Sequence, residues 1–403
     1  MQPIAHLPLV SSGSKVQALA GLPEVALAQV ETWITAPAKG GDAWGEVKRC
    51  LLVRVTTDIG IAGWGEAFVL PCREKAVAEI IHALGQAADS LQSVWPWAFR
   101  DMALRIASNH RGLDFSAATS ALEIALWDIY GKLAGKPLCE VLGGDAKRAI
   151  PVYANIWSDT QSDAGSLAMR ASDLVAKGYA AVKIHPMLNH SAPEAVQAVA
   201  HVRDAIGDDI RLMVDMDTQD HPETSFFVAG KIASARPYWF EEPVDGQDID
   251  ALARIRKTTG MRIVTGEKQC GLPHFRAVLA AGAADILNPD IAGIGGLMDM
   301  LEVADMADRQ GVMVSPHCWN SMTVAAAAML HVCATIPNAE MAEMYPEYLE
   351  HGARYATNGF RVDGVHAHLS GRPGLGVDIN ARALRDLSEH FQSSLLSKGQ
   401  SPR

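Results

Sequence analysis

From residue 25 onward, apolar and polar positions alternate in short runs: VALAQVETWI (25–34), CLLVRVTTD (50–58) and IAGWGEAFV (61–69), with a turn at Gly60 before the last. A period of two predicts half-buried strands, and tight turns between them predict an antiparallel meander. APAKGGDAWG (36–45) reads as a loop between the first two strands. The rhythm then becomes helical in EKAVAEIIHALGQAA (74–88) and in FSAATSALEIALWDIYGKLAG (115–135), whose Ala and Leu spacing suits a tightly packed buried helix. Residues 1–146 are thus expected to form an α+β domain, with 1–24 a weakly patterned, partly ordered leader.

After Gly143 and Gly144 short β-rich runs alternate with Ala-rich helical stretches. The runs are PVYAN (151–155), AAVKIH (180–185), RLMVDMD (211–217), YWFEEP (238–243), RIVTGE (262–267), DILNPD (285–290), VMVSPH (312–317) and AEMAEM (339–344). Eight such units over 147–366 match the count and size of a (β/α)8 barrel, with a doubly wound open sheet as the alternative. Six consecutive runs carry a titratable side chain at or next to the C-terminal end, which in a barrel brings them to one mouth. The fold class expected is therefore α/β, a (β/α)8 barrel behind an N-terminal α+β domain. Residues 367–403, with SGRPGLGVDINARAL, are expected to supply a Gly/Pro-rich turn and a short helix returning to the first domain.

Composition narrows the function. The 403 residues are 49% hydrophobic and 20% charged, as in a globular protein with a large core, and the net charge of −11 argues against a nucleic-acid partner. Six cysteines without a CxxC pair suggest neither a zinc knuckle nor a disulfide scaffold and fit a reducing cytoplasm. No stretch of about 20 residues is free of charge or His, and no export signal is evident, so neither membrane insertion nor secretion is expected.

Asp215, Glu241 and Glu267 end three successive runs, so a barrel places three carboxylates side by side. Converging anions repel unless a cation lies among them, and an oxygen-only set that leaves room for water and substrate fits Mg2+ better than a closed Ca2+ cage, with Mn2+ able to substitute. Lys183 and His185, two apart on one strand, share a face, and either can serve as a base. Asp290 and His317 end neighbouring runs, which allows the carboxylate to orient the imidazole. Glu343 ends the eighth run and is expected to face the Lys183–His185 pair across the mouth.

The ordered series GIAGWGEA, ALEIALWDIYGKLAGKPL, VKIH, VDMD, FEEP, TGE, NPDIAGIGG and VSPH resembles the enolase superfamily, in its mandelate racemase subgroup, over nearly the whole chain from residue 25. The resemblance implies that residues 1–146 cap the barrel, that Asp215, Glu241 and Glu267 bind Mg2+, that Asp290 and His317 form a base dyad, and that Glu343 hydrogen-bonds a substrate carboxylate or enolate oxygen. It further implies a small-molecule carboxylate substrate, an acid sugar, and a homo-oligomer between dimer and octamer. The chain departs from the subgroup at two places. His185 stands where a second Lys is common, which makes it a candidate acid/base. Asp217 stands where Asn is common and could contact Lys183, tune the metal or meet a cationic substrate group.

The implied chemistry is removal of the proton alpha to the carboxylate through an enediolate, followed by loss of a β-hydroxyl to give a 2-keto-3-deoxy acid. Racemisation, epimerisation or cycloisomerisation through the same intermediate is the alternative. A non-catalytic barrel would show a broken residue set, and every expected position is filled. Specificity is expected from elsewhere: the 36–45 loop with Lys39 and Trp44 as a lid, and Trp319 and Tyr345 just beyond strand ends.

Overall fold

The computed structural model describes residues 19–37, 48–156, 164–188, 190–318, 323–357 and 359–396. Most of the expected leader, the Lys39 and Trp44 segment and Trp319 lie outside the described residues. The meander forms as predicted: β1 (Leu27–Thr35), β2 (Leu51–Thr57) and β3 (Ala62–Ala67) pair antiparallel in that order. The helix Gly112–Leu133 lies directly on β3. A Cβ at Gly63 or Gly65 would fall 2.1 Å from the Ala125 carbonyl or 1.8 Å from that of Ala121, so only glycine allows the contact. Ser116 through Gly131 are all buried, as expected of a helix apolar around its whole circumference.

The eight barrel strands are β4 (Ile150–Ile156), β5 (Ala181–Ile184), β6 (Arg211–Asp215), β7 (Trp239–Glu241), β8 (Ile263–Thr265), β9 (Ile286–Leu287), β10 (Met313–Val314) and β11 (Ala342–Met344). Each pairs parallel with its neighbour from β4 to β10, β11 pairs with β4, and a bridge between Val314 and Ala339 closes the ring. This closure decides for the barrel over the open sheet. Tyr153, Ala181, Met213, Trp239, Val264, Ile286 and Met341 fill the interior as a cluster of their own, with Tyr153 edge-on to Trp239 at 5.1 Å. They form an apolar floor beneath the mouth.

Several strands stop short of the predicted runs. Gly266, at φ +133°, and Pro289 and Pro316 break the ladders, so Glu267, Asp290 and His317 stand on the loops above β8, β9 and β10. Asp290 and His317 are nevertheless joined by an isolated parallel bridge.

Past the barrel, β12 (Ala356–Thr357) pairs with β15 (Asp378–Ile379), while β13 (Phe360–Val362) and β14 (His366–Leu369) form a hairpin whose second strand docks antiparallel on β4. The short helix expected near the C-terminus spans Ala381–Asp386. It is followed by β16 (Ser388–Leu395), which joins β1 antiparallel with Trp33 opposite Phe391, so the chain returns to the first domain as a strand of its sheet.

Candidate active site

The last residues of β6 and β7, Asp215 and Glu241, stand opposite each other in the ladder. With Glu267 from the turn after β8 they bring one carboxylate oxygen each to within 4.8 Å of one another. Glu242 braces that turn: its Oε1 accepts from the Thr265 hydroxyl at 2.8 Å and from the Gly266 N–H at 3.0 Å. Asn288 Nδ2 and Trp239 Nε1 donate to opposite oxygens of Glu241, at 3.0 and 2.8 Å. Burial pushes the Glu241 carboxyl well above its usual range, and Asp215, Glu267 and Glu343 push it further against the pull of Lys183. A cation among these oxygens would relieve that repulsion, and the all-carboxylate donor set suits a hard divalent ion. The three residues therefore fit the Mg2+ ligand role expected of them.

Lys183 is fully buried at the centre. Its ammonium lies 2.6 Å from Glu241 Oε1, 2.9 Å from Glu343 Oε1 and 3.3 Å from Asp215 Oδ2. Burial alone would favour its neutral form, but Glu241 and Glu343 outweigh it and hold the pKa well above the ordinary value. An ammonium held this way is an electrostatic partner of all three carboxylates.

Two histidines flank the carboxylate trio. His317 Nδ1 is 2.8 Å from Asp290 Oδ2, and Asp290 is itself fixed by the Ala292 N–H at 2.8 Å. His317 Nε2 points inward, 3.4 Å from Glu267 Oε2 and 3.9 Å from Glu343 Oε2. Burial lowers the His317 pKa, but Glu267, Glu343 and Asp290 together raise it to about 9. At the other end of the trio, His185 Nδ1 lies 3.6 Å from Asp215 Oδ2 and 2.9 Å from Asp217 Oδ1, while Nε2 is 2.9 Å from Asn155 Oδ1.

Some placements differ from expectation. Glu343 does not face the Lys183–His185 pair across the mouth: only β4 separates β11 from β5, so it touches Lys183 directly and also accepts from the Cys318 N–H at 2.8 Å. Asp217 lies on His185, not on Lys183. Tyr345 is buried beneath Lys48, whose ammonium is 5.1 Å from its ring, and its hydroxyl has no hydrogen-bond partner among the described residues. Sequence reasoning passed over Asn155, which donates to Glu343 Oε1 and joins it to His185, as well as Asn288 and Lys268, the last 3.8 Å from Glu267. Asn155 and Asn288 stand at or just past strand ends, so the rule that found the titratable residues would have found them had amides been included.

Residues 24–143 match the mandelate racemase / muconate lactonizing enzyme N-terminal domain, and residues 166–383 match the enolase C-terminal domain-like family. The chain belongs to the enolase superfamily. Within it, the N-terminal match places this enzyme in the mandelate racemase/muconate lactonizing group. Among characterised relatives, this superfamily member is 31% identical to a D-gluconate dehydratase of Thermoproteus tenax, over 83% of this chain and 69% of that protein. It is 32% identical to a D-galactarolactone cycloisomerase of Agrobacterium fabrum, over 83% and 90%. Among solved structures, an enolase from environmental sequencing of the Sargasso Sea superimposes with a TM-score of 0.89 at 40% identity, over 92% of this chain and 98% of that one. Among the described residues no helix is long and apolar enough to cross a membrane.

Proposed function

We propose that this enolase-superfamily enzyme removes the proton alpha to the carboxylate of an acid sugar and expels the β-hydroxyl as water, giving a 2-keto-3-deoxy acid. The observation that carries this reading is the pair of histidines at opposite ends of the Asp215, Glu241 and Glu267 trio, one on Asp215 and one on Glu267. Two proton-transfer groups on either side of one substrate are what an elimination needs, one to take a proton and one to give it. Asp215, Glu241 and Glu267 would hold Mg2+, for which Mn2+ can substitute; when bound, the ion supplies Lewis-acid charge to the substrate carboxylate. Lys183 and Glu343 present a fixed ammonium and carboxylate to the same substrate group and stabilise the charge of the enediolate. His317 Nε2, on the ring edge away from Asp290, takes the alpha proton when the ring is neutral, a form that a cation drawing on the Glu267 charge would favour. His185 gives a proton to the leaving hydroxyl, the C–O bond breaks with its electron pair going to oxygen, and the enol product tautomerises to the ketone.

The dehydratase relatives support dehydration as the reaction, including a D-galactonate dehydratase of Ralstonia pickettii that is 30% identical over 89% of its length. The cycloisomerase relative supports a second reading, in which the same proton abstraction serves an isomerisation. We further propose that the enzyme works in the cytoplasm as a homo-oligomer. A screen of mono- and diacid sugars with Mg2+, D-gluconate and D-galactonate among them, tests the function: a 2-keto product supports dehydration. Solvent deuterium entering the substrate without a keto product would turn the assignment to epimerase or cycloisomerase. Full activity after chelation would overturn the metal assignment.

A further inference from the structure

We propose that Asp217 is the positioning residue of a second histidine–carboxylate dyad, holding His185 in the plane from which it meets the substrate as Asp290 holds His317. The inference rests on the proposed function for what His185 does, and on geometry alone for how it is held.

The two dyads are built alike. Asp217 Oδ1 lies 2.9 Å from His185 Nδ1, and Asp290 Oδ2 lies 2.8 Å from His317 Nδ1. In both the carboxylate takes the same ring nitrogen and leaves Nε2 pointing away from it, toward Glu267 and Glu343 in His317 and onto Asn155 in His185. Asp290 is tied to backbone by the Ala292 N–H, whereas Asp217 is placed by its main chain, whose N–H donates to Asp215 Oδ1 at 3.0 Å.

The chain turns sharply to bring Asp217 there. β6 ends at Asp215, and Asp217 and Thr218 then take left-handed backbone angles, φ +53° and +58°. Two consecutive non-glycine residues in that region are uncommon. The Met216 and Thr218 N–H groups donate to the carbonyls of Glu241 and Glu242, at 2.9 and 3.0 Å, which fixes the turn on β7. Without it, strand alternation would leave residue 217 above Asp215 on the same face. With it, the carboxylate swings to the β5 side and reaches His185.

The other ring nitrogen is held as well. Asn155 Oδ1 lies 2.9 Å from His185 Nε2, and the amide nitrogen of Asn155 donates to Glu343 Oε1. Glu343 has no proton to offer, which fixes which end of the Asn155 amide faces His185. The result is a continuous chain, Asp217–His185–Asn155–Glu343–Lys183, that registers the proton-transfer ring to the charges binding the carboxylate end of the substrate. Asp217 Oδ2 is buried without a hydrogen-bond partner among the described residues, so the second carboxylate oxygen can accept from a donor such as a substrate hydroxyl. Both places where the chain departs from the family pattern, His185 and Asp217, are therefore one structural unit.

The competing role is metal ligation, because His185, Asp215 and Asp217 also offer ligand atoms within 4.8 Å of one another. Two variants separate the roles. Asp217→Asn keeps an oxygen acceptor for the ring, and Asp217→Ala removes it. Crystal structures of both are expected to show the His185 ring in place with Asn and rotated off Asn155 with Ala. With the acid sugar found by the screen, Asp217→Ala is expected to lose about tenfold or more in kcat with KM little changed, and Asp217→Asn to recover most of that loss. Affinity for Mn2+ alone, read by electron paramagnetic resonance, is expected to be unchanged in both. An unmoved ring in Asp217→Ala, or an Asp217→Asn protein that loses about tenfold or more in Mn2+ affinity, overturns the proposal. If no acid sugar is turned over by the wild type, the proposed function fails, while ring position and the Mn2+ titration still decide the role of Asp217.

Discussion

Lys183 has carboxylates from β6, β7 and β11 within 3.3 Å of its ammonium, and none of the four groups is open to solvent. Removing one member of such a cluster leaves uncompensated buried charge. Lys183→Met, which keeps the volume, is expected to destabilise the metal-free protein by about 3 kcal/mol in urea unfolding. Mg2+ is expected to raise the melting temperature of that variant more than that of the wild type, since the ion restores positive charge to Asp215 and Glu241. An equal shift in both would separate Lys183 from the metal site. Glu241→Gln and Glu267→Gln are each expected to lower metal affinity by about 10- to 100-fold with the fold intact. Normal Mn2+ binding in either would remove that residue from the ligand set. His317→Asn is expected to lose both turnover and deuterium exchange at the alpha carbon. Exchange that persists while dehydration is lost would make His185 the base.

The eight candidate site residues were legible at this scale because each is a polar side chain at or near the end of an apolar run, and the barrel converts that position into convergence. Who touches whom was not legible. The contacts of Asp217 depend on two left-handed backbone angles, and the contact of Glu343 with Lys183 depends on β11 pairing with β4.

Elements differ in how far local pattern fixes them. The glycines of GWGEA, inside a run that reads as a strand, mark a close approach: Gly63 and Gly65 let β3 lie on the Gly112–Leu133 helix. Gly65→Ala would place Cβ against the Ala121 carbonyl and is expected to cost about 3 kcal/mol or more, seen as a large drop in melting temperature. A melting temperature close to wild type would mean that the helix can shift away at little cost. The same strand holds Glu66, whose carboxylate accepts from the Ala325 N–H at 2.9 Å at the start of the Val324–Cys333 helix, so the first domain caps a barrel helix beside the mouth. β16 is the opposite case. SEHFQSSL has little apolar periodicity and becomes a strand because β1 offers it an open edge, with residue 33 facing residue 391. A partner so distant in sequence leaves no local signal.

Across the molecule, the two domains are joined by buried polar contacts. Asp299, on the barrel helix Leu297–Asp308, receives Arg100 and Arg111 from the first domain, the latter at 2.6 Å, and Arg100 also reaches Glu302 at 3.0 Å. His331 of the barrel accepts from the Cys139 N–H at 3.1 Å on the other side of the joint. Burial lowers the His331 pKa to about 4. Because the folded state then binds this proton less readily than the unfolded chain, stability is expected to fall as pH drops from about 6.5 to about 4 and to change no further through this group below that. The loss amounts to at most about 3 kcal/mol. His331→Asn, which retains an acceptor for Cys139, is expected to flatten this part of the urea stability profile. An identical acid slope in wild type and variant would show that other groups set it.

Fold class, the order of the elements and the roster of candidate site residues were readable from the amino-acid pattern, because hydrophobic period and strand-end position are local properties. That the sheet closes, that β16 joins the sheet of the first domain, that Lys183 lies among three carboxylates and that Asp217 belongs to His185 came from the folded arrangement. Those outcomes depend on distances between residues far apart in the chain and on charges that shift one another through a buried, low-dielectric interior, neither of which is written in any one segment.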